Sequence, residues 1–242
     1  MSEVVAIIAE YNPFHMGHKY QIDKIKQEKP NATIIAIMSG NTVQRGDFAF
    51  CNKYARAKMA VECGVDAVFE LPFPYSCSTA EIFASAGVEI AGKLGADYLY
   101  FGLEEYSLNY IENIAILVDS PEFKAEFNKL SKDKNYSYIS IKEKALRNLG
   151  CTLSTKPNDI LAIEYIRAIK NKCLSLKYRG IQRIGAGYKN MDECDIMSAS
   201  AIREKYYRDN VLMSIPSNAM KIIAKESDSG RIVDPKFTNR AL

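Results

Sequence analysis

Four short apolar runs fill about the first hundred residues, and each gives way to a loop or a helical pattern. This alternation constrains the fold more than any other feature. VVAIIA (Val4 to Ala9) and TIIAIM (Thr33 to Met38) are apolar without a break, as strands covered on both faces must be. VDAVFELP (Val65 to Pro72) and DYLYFG (Asp97 to Gly102) read as the third and fourth strands. Between them lie HKYQIDKIKQ, NKYARAKMAVEC and STAEIFASAGVEIAGKLG, each with helical spacing. In the second, Tyr54, Ala57, Lys58 and Val61 fall along one side. Repeated βα units imply a parallel sheet with right-handed crossovers.

The rhythm then changes. Residues 107–172 hold four helical patterns and no convincing strand. SLKYRGIQRIG (Ser175 to Gly185) resumes the alternation, and MSASAIREKYYRDN and NAMKIIAKE read as further helices. The expected architecture is α/β: a Rossmann-like, doubly wound parallel sheet of about five strands, with a helical insertion before the last. The expected organisation is a catalytic domain over 1–205 and a short helical tail over 206–242. No apolar run approaches the roughly 18 residues of a membrane span, so no membrane partner is expected. The six cysteines form no CxxC pair, which argues against structural zinc and for reduced thiols in a cytoplasmic protein. A formal charge of +3 permits a phosphate-bearing partner without demanding one.

Parallel sheets bind ligands at the carboxyl ends of their strands. The loops to inspect are therefore Glu10 to Gly17, Ser39 to Asp47, Gly102 to Glu105 and Gly185 to Ser200. The first holds both histidines of the chain, His15 and His18, around Gly17. Unpaired N–H groups and a positive dipole end at such a helix start suit a phosphate. Gly17 lets the chain approach a ligand, and two imidazoles three apart share one side of the first turn. Donors aimed where charge accumulates promote the departure of pyrophosphate. The alternative is a pair of turn-capping histidines. No GxGxxG and no GxxxxGK[ST] is present, which argues against a dinucleotide dehydrogenase and a P-loop enzyme.

An HxGH loop after a first buried strand resembles the signature of the nucleotidyltransferase and class I aminoacyl-tRNA synthetase superfamily. The longer strings AEYNPFHMGHKY, MSGNTVQRGDFA, KPNDILAIEYIRAI, RIGAGY and MSASAIRE, in this order, resemble the tRNA-Met cytidine acetate ligase family. The resemblance implies an ATP-dependent ligase that forms acetyl-adenylate from acetate and acetylates N4 of the wobble cytidine of elongator tRNA-Met. It implies His15 and His18 as catalytic groups at the α-phosphate. It also implies ATP contacts at Ala9, Glu10, Tyr11, Asn12, Pro13, Phe14, Gly17, Tyr20, Gly102, Asn158 and Arg183. Ser198, Ser200 and Arg203 resemble the superfamily's second phosphate motif. ATP is the expected co-substrate, Mg2+ is expected to bridge its phosphates, and no protein metal site is expected. Family members are longer and use a C-terminal region to hold tRNA, so the chain reads as a C-terminally short member. It departs from the pattern at Met16, where asparagine is usual, and at Leu103, where serine is usual.

Several of these residues have a plainer reading. Ser198 or Ser200 suits an N-cap, and Asn158 after Pro157 could cap its helix. Arg183, and Arg45 with Asp47, could be surface ion pairs. Arg203 in a first turn opposes the helix dipole and fits better beside an anion. Tyr54 and Arg56 mix aromatic and basic character, but core packing with a snorkelling Lys58 accounts for them. Two other functions remain open: a nucleotidyltransferase acting on a small phosphate ester, and a silent nucleotide- or RNA-binding paralogue.

Overall fold

The structure, a computed structural model, describes residues 2–132, 136–172, 174–183 and 196–234. Five parallel strands form one sheet in the order β3-β2-β1-β4-β5. They are β1 (Val4–Ala9), β2 (Thr33–Ser39), β3 (Ala67–Leu71), β4 (Tyr98–Leu103) and β5 (Lys177–Gln182). β1 occupies the expected residues, and β3 begins two residues later than its apolar run because the Asp66 carboxylate accepts from the Ile34 N–H at 2.7 Å. The strand order reverses direction between β1 and β4, the place where such sheets open.

Side chains alternate across β1 and fill two cores. Val5 and Ile7 face α1 (Met16–Glu28) and α2 (Lys53–Glu62) in one cluster, whereas Ala6 joins α3 (Ala80–Lys93), α4 (Leu108–Asp119) and α7 (Pro157–Asn171) in the other. α7 packs on α3, α4 and β4, so within the expected insertion α4 and α7 complete a layer of the sheet. Only α5 (Pro121–Leu130) and α6 (Tyr138–Asn148) lie outside it, packed on each other. The helices start where short polar side chains accept first-turn N–H groups: Asn52, Thr79, Ser107, Ser120, Ser137 and Ser198. Each such cap stabilises its helix by about 1 kcal/mol.

α2 turns a different side inward from the one its spacing suggested. Its buried residues are Ala55, Arg56, Met59 and Ala60, and Tyr54 is 76% exposed. The tail is not separate in packing. Beyond α8 (Ala199–Asp209), Ile215 and α9 (Ser217–Asp228) contribute Ile215, Ala219 and Ile223 to the α1/α2 core. Among the described residues, no helix is long and apolar enough to cross a membrane. Cys51, Cys63, Cys77 and Cys151 are free thiols; Cys173 and Cys194 lie outside the described residues.

Candidate active site

The ladder between β1 and β4 records only Val5 against Tyr98 and Ala6 against Leu99. By contrast, β1 pairs with β2, and β4 with β5, over six positions each. Toward their carboxyl ends β1 and β4 therefore part. Gln21, from α1, donates to the Tyr100 carbonyl at 3.4 Å in this stretch. The two histidines and Gly102 stand at the mouth of the opening.

The chain leaves β1 through Tyr11, whose φ of 48° is in the left-handed region. That conformation costs about 1 kcal/mol or more; burial of the Tyr11 ring, 1% exposed, offsets it. Tyr11 and Phe14 back His18 at 4.9 and 5.4 Å between centroids. His15 and His18 stack at 3.8 Å with 29° between their planes. The His15 Nδ1 accepts the Gly17 N–H at 3.0 Å, and the His18 Nδ1 accepts the His15 N–H at 3.2 Å. A nitrogen that accepts carries no proton, so both rings hold their proton on Nε2.

This arrangement corrects one expectation. The first-turn N–H groups of α1 are already occupied. Met16 donates to Ser214 O at 2.8 Å, Gly17 to His15, and both His18 and Lys19 to His15 O. Any anion here would meet Nε2–H donors, not bare peptide. Capping and ligand binding are thus compatible roles for different nitrogens of one ring. Gly17 has a local reason too: a Cβ there would stand 2.8 Å from the His15 Cε1, so the glycine makes room for the imidazole.

Burial first, and then the Arg183 charge, lowers the His15 pKa to about 3. Burial, then His15, then Arg183 lowers that of His18 well below the usual range. Both are neutral donors near pH 7.

The rest of the first loop is fixed by its neighbours. Asn12 Oδ1 accepts from Phe50 N at 2.6 Å, and a cis bond joins Asn12 to Pro13. Glu10 Oε1 accepts from Gln44 N at 2.8 Å. Ala9 pairs with Met38 in the ladder, and Tyr20 packs against the α1/α2 core. Arg203 reaches back from α8 and donates to Asn12 O at 2.6 Å and to Ser200 Oγ at 3.4 Å. Ser198 is the α8 N-cap, accepting from Ala201 N at 3.2 Å. The second motif is thus docked on the first.

Across the opening, a Cβ on Gly102 would lie 3.2 Å from Arg183 Cγ, so the arginine stem crosses bare backbone. Arg183 pairs with Glu104 at 3.5 Å. Asn158 does not cap α7; Lys156 occupies that position without a side-chain bond. Asn158 instead donates to Glu104 through its backbone N at 3.2 Å and through Nδ2. Of RIGAGY only Arg183 is described; residues 184–195, most of the fourth expected loop, lie outside the described residues.

Arg45 and Asp47 are exposed and make no ion pair among the described residues. Arg56 is the residue that the sequence reading undervalued. It is fully buried and donates to three carbonyls, Cys51 at 3.1 Å, Glu10 at 2.6 Å, and Gly40. It staples the loops after β1 and β2 to the start of α2. Asp159 was also missed. Its carboxylate accepts from Glu104 N and Glu105 N at 2.8 and 2.9 Å, and from Ser154 Oγ at 3.0 Å.

Known proteins match this chain from end to end. The family model described as HIGH Nucleotidyl Transferase matches residues 2–241. A tRNA(Met) cytidine acetate ligase of Caldicellulosiruptor bescii is 37% identical over 234 residues, covering 94% of this chain and 58% of its own length. One from Lactobacillus delbrueckii subsp. bulgaricus is 40% identical over 202 residues, covering 83% of this chain and 52% of its own. A crystal structure of Thermotoga maritima TmcAL bound with alpha-thio ATP superposes with a TM-score of 0.84 at 30% identity, over 95% of this chain and 57% of that one. The chain thus spans little more than half the length of these relatives. With the His15–Met16–Gly17–His18 loop at the sheet's opening and a family match over nearly every residue, the chain belongs to the HIGH nucleotidyl transferase family.

Proposed function

We propose that this chain carries the adenylate-forming centre of a tRNA(Met) cytidine acetate ligase. The observation that carries the reading is the stacked imidazole pair, with each Nδ1 engaged by backbone and each Nε2–H left as a neutral donor at the mouth between β1 and β4. The named ligase relatives and the ATP-analogue complex of a similar fold support it.

ATP would lie across the opening, with its α-phosphate against His15 and His18. An acetate oxygen attacks the α-phosphorus, the bond to the bridging oxygen breaks, and pyrophosphate leaves. The Nε2–H donors stabilise the charge that develops on the non-bridging oxygens. Being neutral, they do so without surrendering a proton. In the second half, N4 of a tRNA cytidine attacks the acetyl carbon, AMP departs and the amine loses a proton. Asn158, Arg183 and the first loop would hold the nucleoside end, and Ser198, Ser200 and Arg203 the phosphates. Among the described residues no group of three or more His, Cys, Asp or Glu could hold a metal; Mg2+ would supply charge neutralisation to the triphosphate when bound with it.

ATP–pyrophosphate exchange tests the reading. Exchange stimulated by acetate is expected, and His18→Ala should lower it by roughly 10²–10³-fold. ATP consumption that needs a phosphate ester in place of acetate would replace the ligase reading with a small-molecule nucleotidyltransferase. Tight ATP binding without exchange would make the chain a sensor. Appearance of N4-acetylcytidine in tRNA then tests the acceptor.

A further inference from the structure

The geometry points to Glu104 as the positioning residue that holds Asn158 and Arg183 together as one nucleotide clamp, an inference that rests on the ATP reading above. One oxygen, Glu104 Oε1, receives the Asn158 backbone N–H at 3.2 Å, the Asn158 side-chain amide, and the Arg183 Nη1 at 3.5 Å. These donors come from the α7 N-terminus and the end of β5, which are distant in sequence. Among the described residues, the Glu104 carboxylate is the group that contacts both.

Glu104 is itself tied down on both sides. Its N–H donates to the Asp159 carboxylate at 2.8 Å, and its carbonyl accepts from Gln182 Nε2 at 2.8 Å. Asp159 is fully buried and is braced by Ser154. The Arg183 stem lies over Gly102 and its backbone N donates to Leu103 O at 2.7 Å, which fixes the base of the side chain and leaves its guanidinium end to be ordered. A side chain as long as arginine, 37% exposed here, would otherwise sample many rotamers, and a ligand would have to order it. Glu104 removes that disorder beforehand. The donors of the Arg183 fork stay available, because the Glu104 contact is an ion pair and no hydrogen bond among the described residues uses them.

The test is binding of a non-hydrolysable ATP analogue by calorimetry, together with exchange kinetics. Glu104→Ala should raise the analogue Kd and the ATP KM roughly 10- to 100-fold, the scale of a lost charge-assisted contact. Turnover at saturating ATP should stay within about threefold. Glu104→Gln keeps an acceptor for Asn158 but loses the charge that faces Arg183, so its Kd should fall between the parent and Glu104→Ala. With Arg183→Ala and Asn158→Ala already present, Glu104→Ala should add less than about threefold. A merely structural Glu104 would instead lower Tm and turnover while leaving KM in place. An unchanged Kd in Glu104→Ala overturns the inference alone, as does a full loss that persists without Arg183 and Asn158. A parent protein that binds no ATP analogue overturns the ATP reading itself. Should Glu104→Ala not fold, the cycle of Asn158→Ala with Arg183→Ala decides. Coupled losses, about fivefold or more short of multiplicative, are expected, and multiplicative losses overturn the inference.

Discussion

Each imidazole uses one nitrogen for the fold and keeps the other. Nδ1 of His15 and of His18 can accept a backbone N–H only while unprotonated, so acid attacks the loop's geometry as well as its charge. The sign follows from linkage: both pKa values lie below the unfolded value of 6.5. The unfolded chain therefore binds more protons as pH falls. Stability is full above about pH 6.5 and declines below it, by at most about 1.4 kcal/mol per pH unit for each ring. The chain has no other histidine, so urea titrations at pH 7.5, 6.5 and 5.5 isolate the pair. A His15→Asn, His18→Asn double variant should be nearly flat across that window; an equal slope would refute the assignment. The pair stood out in the sequence because both rings share one strand-to-helix loop. Its capping role was expected only as the alternative to ligand binding, whereas each ring gives one nitrogen to the cap and keeps the other. Glu104 and Asp159 were invisible because their partners lie about fifty residues away along the chain.

At the scale of elements, the loops after β1 and β2 depend on a cation that reads as surface. Arg56 sits between Tyr54 and Lys58, whose spacing suggested the inward side with a snorkelling lysine, yet Arg56 is buried and Tyr54 is not. Helical spacing gives the period of a face but not its phase when apolar and charged residues alternate this closely. Arg56→Met should leave the Glu10, Gly40 and Cys51 carbonyls without their donor. Each buried orphan costs about 1–3 kcal/mol, so a total loss of about 3 kcal/mol or more is expected in chemical denaturation. Hydrogen exchange should quicken first at Gln44 and Phe50, whose N–H groups hold these loops. Protection as in the parent would mean that the loops stand without the staple. The strands were easier to read than this helix. β1 and β2 are apolar on both faces, and a continuous run has no phase to mistake.

At the scale of the molecule, the helical tail shares its core with α1 and α2. Ile223, fully buried on α9, packs in the same cluster as Ile22, Ile25 and Met59. Ile223→Ala should lower global stability by about 2–5 kcal/mol. Far-ultraviolet and tyrosine near-ultraviolet dichroism should still report one coincident transition, since the chain has no tryptophan to follow. An early, separate melt of the tail would identify it as an independent unit. The alternation of runs and helices foretold the parallel sheet, but strand order and the docking of α8 and α9 arise from contacts that no local pattern encodes.

The parting of β1 from β4 after two paired positions has a consequence for how such a centre can diversify. The doorway exists because the backbone ladder stops there, with the Gln21 amide taking up the freed Tyr100 carbonyl. Substitutions in the surrounding turns can therefore redraw what enters while the frame that makes the entrance is left alone.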